Sequence, residues 1–168
     1  KKGILYIWND QNLKSRELEI EVRKKLGVDQ QVVTPKEIHD LEPNIKPIYH
    51  GGVYYQYGRH ARNPKKILLK LFDLFLKKGG QFKKINIKDI KFDEEKPIFK
   101  TETQSYIFDK VVIASGALSK KLTDNLDENI PLDTERGYHV HFKNCDHLLS
   151  RPVIFQNRGF GITPMEQG

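Results

Sequence analysis

Four groups of residues in this sequence have side chains or spacings suited to chemistry. The first is Ala114-Ser115-Gly116-Ala117, which follows on the apolar run Val111–Ala114 and precedes Ser119-Lys120, where a short helical pattern opens through Leu122. No bulky side chain stands in that turn, so another backbone or a flat ligand can approach closely. Strand, small-residue turn and helix start can seat a nucleotide-bearing cofactor at the carboxyl end of a sheet strand. The same arrangement also ends an ordinary strand beneath a helix. The second is Arg136, whose guanidinium fork can hold a carboxylate or phosphate through two bonds, or pair on the surface with Asp133 or Glu135. The third is the cluster Tyr54, Tyr57, Arg59, His60 and Arg62, placed just after Gly51-Gly52. A strand tyrosine reads as half-buried sheet cover. Histidine is the side chain whose ordinary range lies near neutral pH, so a histidine at position 60 suits a base as well as a structural role. The fourth is Cys145, a lone thiol among Asn144, Asp146 and His147, which has no internal partner for a disulfide and no local mark of a nucleophile.

Other chemistries are absent from the pattern. His139 and His141 lie two apart and share a face on a strand, but no carboxylate or cysteine stands at ligand spacing, which excludes a zinc motif. No G-x-S-x-G elbow occurs.

The elements that must position these residues follow from hydropathy. Val111–Ala114 lacks polar alternation, which predicts a central buried strand over Phe108–Ala114. Residues 82–108 predict an antiparallel meander leading into it, with Ile85, Ile87, Ile90 and Phe92 alternating, a turn at Asp93–Pro97, and returns over Ile98–Thr103 and Tyr106–Phe108. Upstream, Gly3–Trp8 reads as a strand, with Asn9-Asp10 capping a helix over Gln11–Leu26. Leu18, Val22 and Leu26 share a face of that helix, and Gly27 suits its C-terminal end. Thr34-Pro35-Lys36-Glu37 is a capping box with proline at the first helical position, opening a helix to about Leu41 that Glu42-Pro43 ends. His50–Tyr57 reads as a strand. Asn63-Pro64 caps a helix with Ile67, Leu68, Leu71, Phe72 and Phe75 on its core face, and Gly79-Gly80 stops it. Beyond Pro131, strands are expected over Leu132–Phe142, Val153–Gln156 and Phe160–Thr163.

The chain has 168 residues, enough for one domain or one domain with part of another. Its net charge is +7, from 29 basic and 22 acidic residues. The lysines fall in dispersed pairs, whereas a nucleic-acid module gathers them on one face. No apolar run approaches the ~20 residues a membrane-spanning helix needs, and no signal peptide is expected. With one cysteine, a reducing, cytoplasmic compartment is the expectation. The single methionine is Met165, so residue 1 is not expected to be a natural start and the chain reads as a middle piece of a longer protein.

Val111-Val112-Ile113-Ala114-Ser115-Gly116-Ala117-Leu118-Ser119 resembles the V-V-x-A-x-G-A-W-S segment of the flavin-dependent amine and D-amino-acid oxidoreductases, the family of D-amino-acid dehydrogenase, D-amino-acid oxidase, glycine oxidase and sarcosine oxidase. Leu118 stands where that family carries Trp. The order of features extends the resemblance over most of Gly3–Gly168: Gly51-Gly52, then Asn63-Pro64, then Gly79-Gly80-Gln81-Phe82. Pro131–Tyr138 is similar to the family's P-x-x-x-x-R-G-Y stretch. Gly159–Gly168 is similar to a segment lining the flavin's ring side.

The resemblance implies a fold of the α+β class, with a mixed, largely antiparallel sheet and flanking helices: the substrate domain of a flavin oxidoreductase plus part of its FAD-binding domain. Residues 1–80 would supply substrate-domain elements, 81–123 the meander and FAD-domain strand, and 124–168 substrate-domain strands leading back to the FAD domain. It implies hydride transfer from an amino acid or related amine to FAD in a bacterial enzyme. Ala114, Ser115, Gly116, Ala117 and Gly161 would contact the cofactor. Tyr54, His60, Arg136, Tyr138, Thr163 and Met165 would face the substrate, and no catalytic residue is singled out. The electron acceptor would be oxygen or a carrier at the periphery of the inner membrane, with no nucleic-acid partner.

FAD is not expected to be retained by this chain alone, because no G-x-G-x-x-G fingerprint occurs in it; after Gly159 and Gly161, Pro164 takes the third glycine's position. Two other readings remain. One is a basic, non-enzymatic module for RNA or an acidic partner, stacking bases on Tyr54, Tyr57 and Phe160. The other is a flavoprotein of the same fold acting on a hydroxy acid or a dipeptide-like amine.

Overall fold

The computed structural model describes residues 3–9 and 14–166. In chain order the elements are β1 (Ile4–Trp8), α1 (Lys14–Lys25), β2 (Gln31–Val33), α2 (Pro35–Leu41), β3 (Gly51–Tyr55), α3 (Pro64–Lys77), β4 (Asp89–Asp93), β5 (Lys96–Lys100), β6 (Ser105–Ile107), α4 (Ser119–Asp124), β7 (Val153–Phe155) and β8 (Phe160–Ile162). They fall into two units, residues 1–74 with 140–168, and residues 75–139.

The first unit is built on a five-stranded sheet of order β2-β3-β1-β7-β8. β1 and β7 run parallel, and every other pairing is antiparallel. β1 sits in the centre because Leu5 and Ile7 alternate onto one face, where they are buried with Val33, Ile38, Ile45, Tyr49 and Val153. Each aliphatic side chain so buried stabilises the fold by roughly 1.5–3 kcal/mol. Gly52 lets this face close: a Cβ there would lie 2.5 Å from the Tyr6 carbonyl and 3.2 Å from the side chains of Ile38 and Val33.

The local signals around this core formed as expected. The Thr34 side chain accepts from the Glu37 amide, and the Glu37 carboxylate accepts from the Thr34 amide at 2.7 Å, completing the capping box of α2. Asn63 Oδ1 accepts from the Lys66 amide at the start of α3. Gly27 and Gly79 follow α1 and α3 with φ of +73° and +88°. The expected cap at Asn9-Asp10 and the helix start at 11–13 involve residues outside those described.

The second unit carries the expected meander as a three-stranded antiparallel sheet of order β4-β5-β6. Its first turn closes Asp93 against Lys96 around Glu94-Glu95. Strand structure begins only at Asp89, so Ile85 and Ile87 lie in irregular backbone before it. Ser119–Asp124 forms the short helix expected after the small-residue turn.

Three expectations are corrected. Phe108–Ala114 is not a buried strand: residues 111–114 are irregular, and Val112 is 88% exposed. Leu132–Phe142 likewise forms no strand and is exposed throughout. The apolar positions of α3 are not core, since Ile67, Leu68, Leu71 and Phe75 are all exposed and no residue of the helix is buried. One physical reason covers all three. Hydropathy reports that a segment gains from being covered, but a strand exists only through hydrogen bonds to a neighbour. Among the described residues no strand pairs with 108–114 or 132–142, and no element buries the face of α3.

Candidate functional site

The loop between β3 and α3 and the segment after β8 meet in the first unit. The His60 Nε2 lies 3.1 Å from the Pro164 carbonyl oxygen. A carbonyl only accepts, so this geometry puts the hydrogen on Nε2 and leaves Nδ1 as the nitrogen able to take a proton. The Glu166 amide donates to the Arg62 carbonyl at 2.8 Å. The Glu166 carboxylate accepts from Asn63 Nδ2 at 2.7 Å and pairs with Lys66 Nζ at 3.4 Å. These contacts hold it below its ordinary value of 4.5, the Asn63 hydrogen bond counting most and the Lys66 charge next. Arg62 in turn pairs with Asp146 at 3.1 Å. An open cavity of about 390 Å³ lies here, bordered by His60, Arg62, Asn63, Lys66, Lys70 and Glu166. Thr163 is exposed, Pro164 buried and Met165 half-buried. Of the residues expected at a substrate site, His60, Thr163 and Met165 are thus brought to one place.

Tyr54 is held elsewhere in the same sheet. It sits on β3 opposite Leu5 and Gln31, half-buried against the core, with the Arg151 guanidinium 5.2 Å from its ring centroid. Arg151 belongs to a network that sequence reasoning missed. Its Nε donates to Glu42 Oε1 at 2.8 Å, and its side chain retains only 11% exposure against 2% for Glu42. The Ser150 amide and hydroxyl also donate to the Glu42 carboxylate, and Arg151 Nη2 donates to the Leu41 carbonyl. A buried carboxylate with this many donors is fully partnered, as burial of a charge requires. The partners lie more than 100 residues apart, so no local spacing announces them. Glu42 read only as the end of a helix.

In the second unit, Ala114, Ser115, Gly116 and Ala117 are exposed, and Ser115 Oγ lies 3.1 Å from Ser119 Oγ. Gly116 has φ of +59°, and a Cβ built on it meets nothing within 4 Å. The corner therefore offers a flat ligand bare backbone beneath open space, which fits the approach of part of a flavin nucleotide. Gly161, in the first unit, does not offer the same: a Cβ there would lie 2.5 Å from Ile154 Cδ1, so its missing side chain makes room for a neighbouring strand. Arg136 and Tyr138 stand exposed in the second unit, Tyr138 at 86%. Cys145 is half-buried, its thiol 3.4 Å from the Lys143 carbonyl. Among the described residues no cluster of His, Cys, Asp or Glu can hold a metal ion. No helix among them is long and apolar enough to cross a membrane.

Known proteins resemble this chain throughout. A D-amino-acid oxidase of Bradyrhizobium diazoefficiens is 30% identical over 145 residues, covering 86% of this chain and 34% of the relative. The structure of glycine oxidase from Geobacillus kaustophilus superposes with a TM-score of 0.77 at 18% identity, over 98% of this chain and 45% of that one. L-proline dehydrogenase from P. horikoshii follows with a TM-score of 0.64 at 18% identity, over 74% of this chain and 34% of that one. At such identities the two structures speak to fold, and they agree with the mixed sheet and antiparallel meander. The chain spans about a third of the curated relative's length. Across residues 1–168 the sequence matches the family described as FAD dependent oxidoreductase, and the chain belongs to that family.

Proposed function

We propose that the whole protein carrying this chain oxidises an amino acid or related amine, with FAD as its cofactor. The observation that carries this reading is the family match over all 168 residues; the D-amino-acid oxidase relative, similar over 86% of the chain, points to the substrate class. When bound, FAD supplies the acceptor for the hydride leaving the substrate's α-carbon, which is the demanding part of the chemistry.

The chain's own residues then bind and orient. The Ala114–Ala117 corner receives part of the cofactor, since small side chains let backbone and ligand meet. His60, Thr163 and Met165, gathered by the clasp around Pro164, face the substrate. Arg136, exposed in the second unit, offers a guanidinium able to take a carboxylate through two bonds. In this reading residues 1–80 and 124–168 belong to the substrate domain, and residues 81–123 supply the meander and a strand of the FAD-binding domain. A cytoplasmic location fits the single cysteine.

The test is the Gly116→Trp variant of the whole protein. Loss of flavin with the fold retained is expected, whereas normal flavin content contradicts the cofactor assignment.

A further inference from the structure

The contacts around Glu166 go beyond what capping α3 requires. Asn63 Oδ1 already caps the helix by accepting from the Lys66 amide, yet Asn63 Nδ2 turns the other way to donate to Glu166 at 2.7 Å. Lys66, one turn into the helix, adds its charge at 3.4 Å, and the Arg62 carbonyl takes the Glu166 amide at 2.8 Å. His60 contacts the Pro164 carbonyl two residues earlier. Four residues of one loop and helix start thus grip two residues about 100 positions later, Pro164 and Glu166, and Met165 lies between them.

We propose that Glu166 is a positioning residue, whose carboxylate, locked onto Asn63 and Lys66, fixes the Thr163–Met165 segment where it borders the substrate. This rests on the reading that Thr163 and Met165 face the substrate. The grip itself is independent of it. The arrangement is economical, because a single side chain, Asn63, both caps α3 and orients the segment. Since Arg62 makes its direct ion pair with Asp146 rather than with Glu166, the Glu166 carboxylate's charged partners are Lys66 directly and Arg62 at longer range.

Met165 is the single methionine in the sequence, so a chain labelled at the methionine methyl carbon gives one resonance that reports the segment. Glu166→Ala is expected to move it toward the position of an unstructured peptide. Glu166→Gln, which keeps an acceptor for Asn63, is expected to keep it near the wild-type position. Trp8, the single tryptophan and buried in the core, reports whether the first unit stays folded. Should Glu166→Ala unfold that unit, Asn63→Asp decides: it keeps a helix-capping oxygen but replaces the donor with a repelling carboxylate. A released methyl signal in Asn63→Asp supports the proposal, and an unmoved one overturns it, as does an unmoved signal in a folded Glu166→Ala. In the flavin-loaded whole protein, Glu166→Ala is expected to raise KM for the amine about three- to tenfold with flavin content and kcat little changed, the size of losing a solvent-accessible charged hydrogen bond. An unchanged KM overturns the positioning role. If the wild-type flavin is reduced by no amine, the functional reading fails, while the methyl signal still decides the grip.

Discussion

The most exacting residue in the chain is Glu42. Its carboxylate is buried and answers to Arg151, to Ser150 and, through Arg151, to the backbone of α2. Removing one partner strands the other charge away from water, which costs far more than the intact pair contributes. Glu42→Ala is therefore expected to destabilise the first unit by about 3–5 kcal/mol, read as a shift in the denaturant midpoint. Glu42→Leu combined with Arg151→Met is expected to recover much of that loss, because no charge is left behind. A second residue-scale prediction concerns acid. Glu37 is held below its ordinary 4.5 by hydrogen bonds from the Thr34 backbone first and the Thr34 side chain second, and Glu166 by Asn63 first and then Lys66. Both carboxyls bind protons more weakly when folded. Their contribution is complete above about pH 4.5 and fades as pH falls through the lower folded values. The Met165 methyl signal should accordingly hold its position from neutral pH down to that region and below it move no further than in Glu166→Gln, because the protonated acid, like the amide, keeps a carbonyl acceptor for Asn63. Release on raising the pH instead would contradict the assignment.

At the scale of elements, what was legible in the sequence was local. The capping box of α2, the Asn63 cap of α3, the glycines after α1 and α3, and the turn at Glu94-Glu95 each lie within a few residues. Their chemistry is therefore complete in a short window. The turn carries its own prediction. Glu94 adopts φ of +53°, which an L side chain resists, so Glu94→Gly is expected to stabilise the second unit by about 0.5–1 kcal/mol, measured by thermal unfolding. The reverse change at Gly116, φ +59°, is expected to cost about 1 kcal/mol as Gly116→Ala even though nothing crowds the position. Pairing was not legible. Val111–Ala114 announces by composition that it gains from burial, but nothing within it says which strand will lie beside it. The same holds for α3, whose Asn63 cap and glycine stop were read correctly while the destination of its apolar face was not. Of the candidate site, His60 and the segment after β8 were each noticed. Their contact was not, nor was the role of Glu166, because side-chain partners 100 residues apart leave no periodic trace.

For the molecule as a whole, the family match and the shared fold carry the account. The sequence lacks the G-x-G-x-x-G turn whose helix amides meet a pyrophosphate, so titrating this chain with FAD is expected to give no micromolar binding. Tight binding would show that the corner at Ala114–Ala117 anchors more than it completes. The competing reading as a basic RNA-binding module draws on the net charge of +7, and its signature is retention on RNA that weakens steeply with salt. One measurement separates the two most directly: the visible spectrum of the purified whole protein, recorded without oxygen before and after adding glycine, sarcosine, L-proline or D-amino acids in turn. The account predicts a yellow protein whose flavin band bleaches with at least one of these amines. A colourless protein, or a flavin band that none of them bleaches, would contradict it.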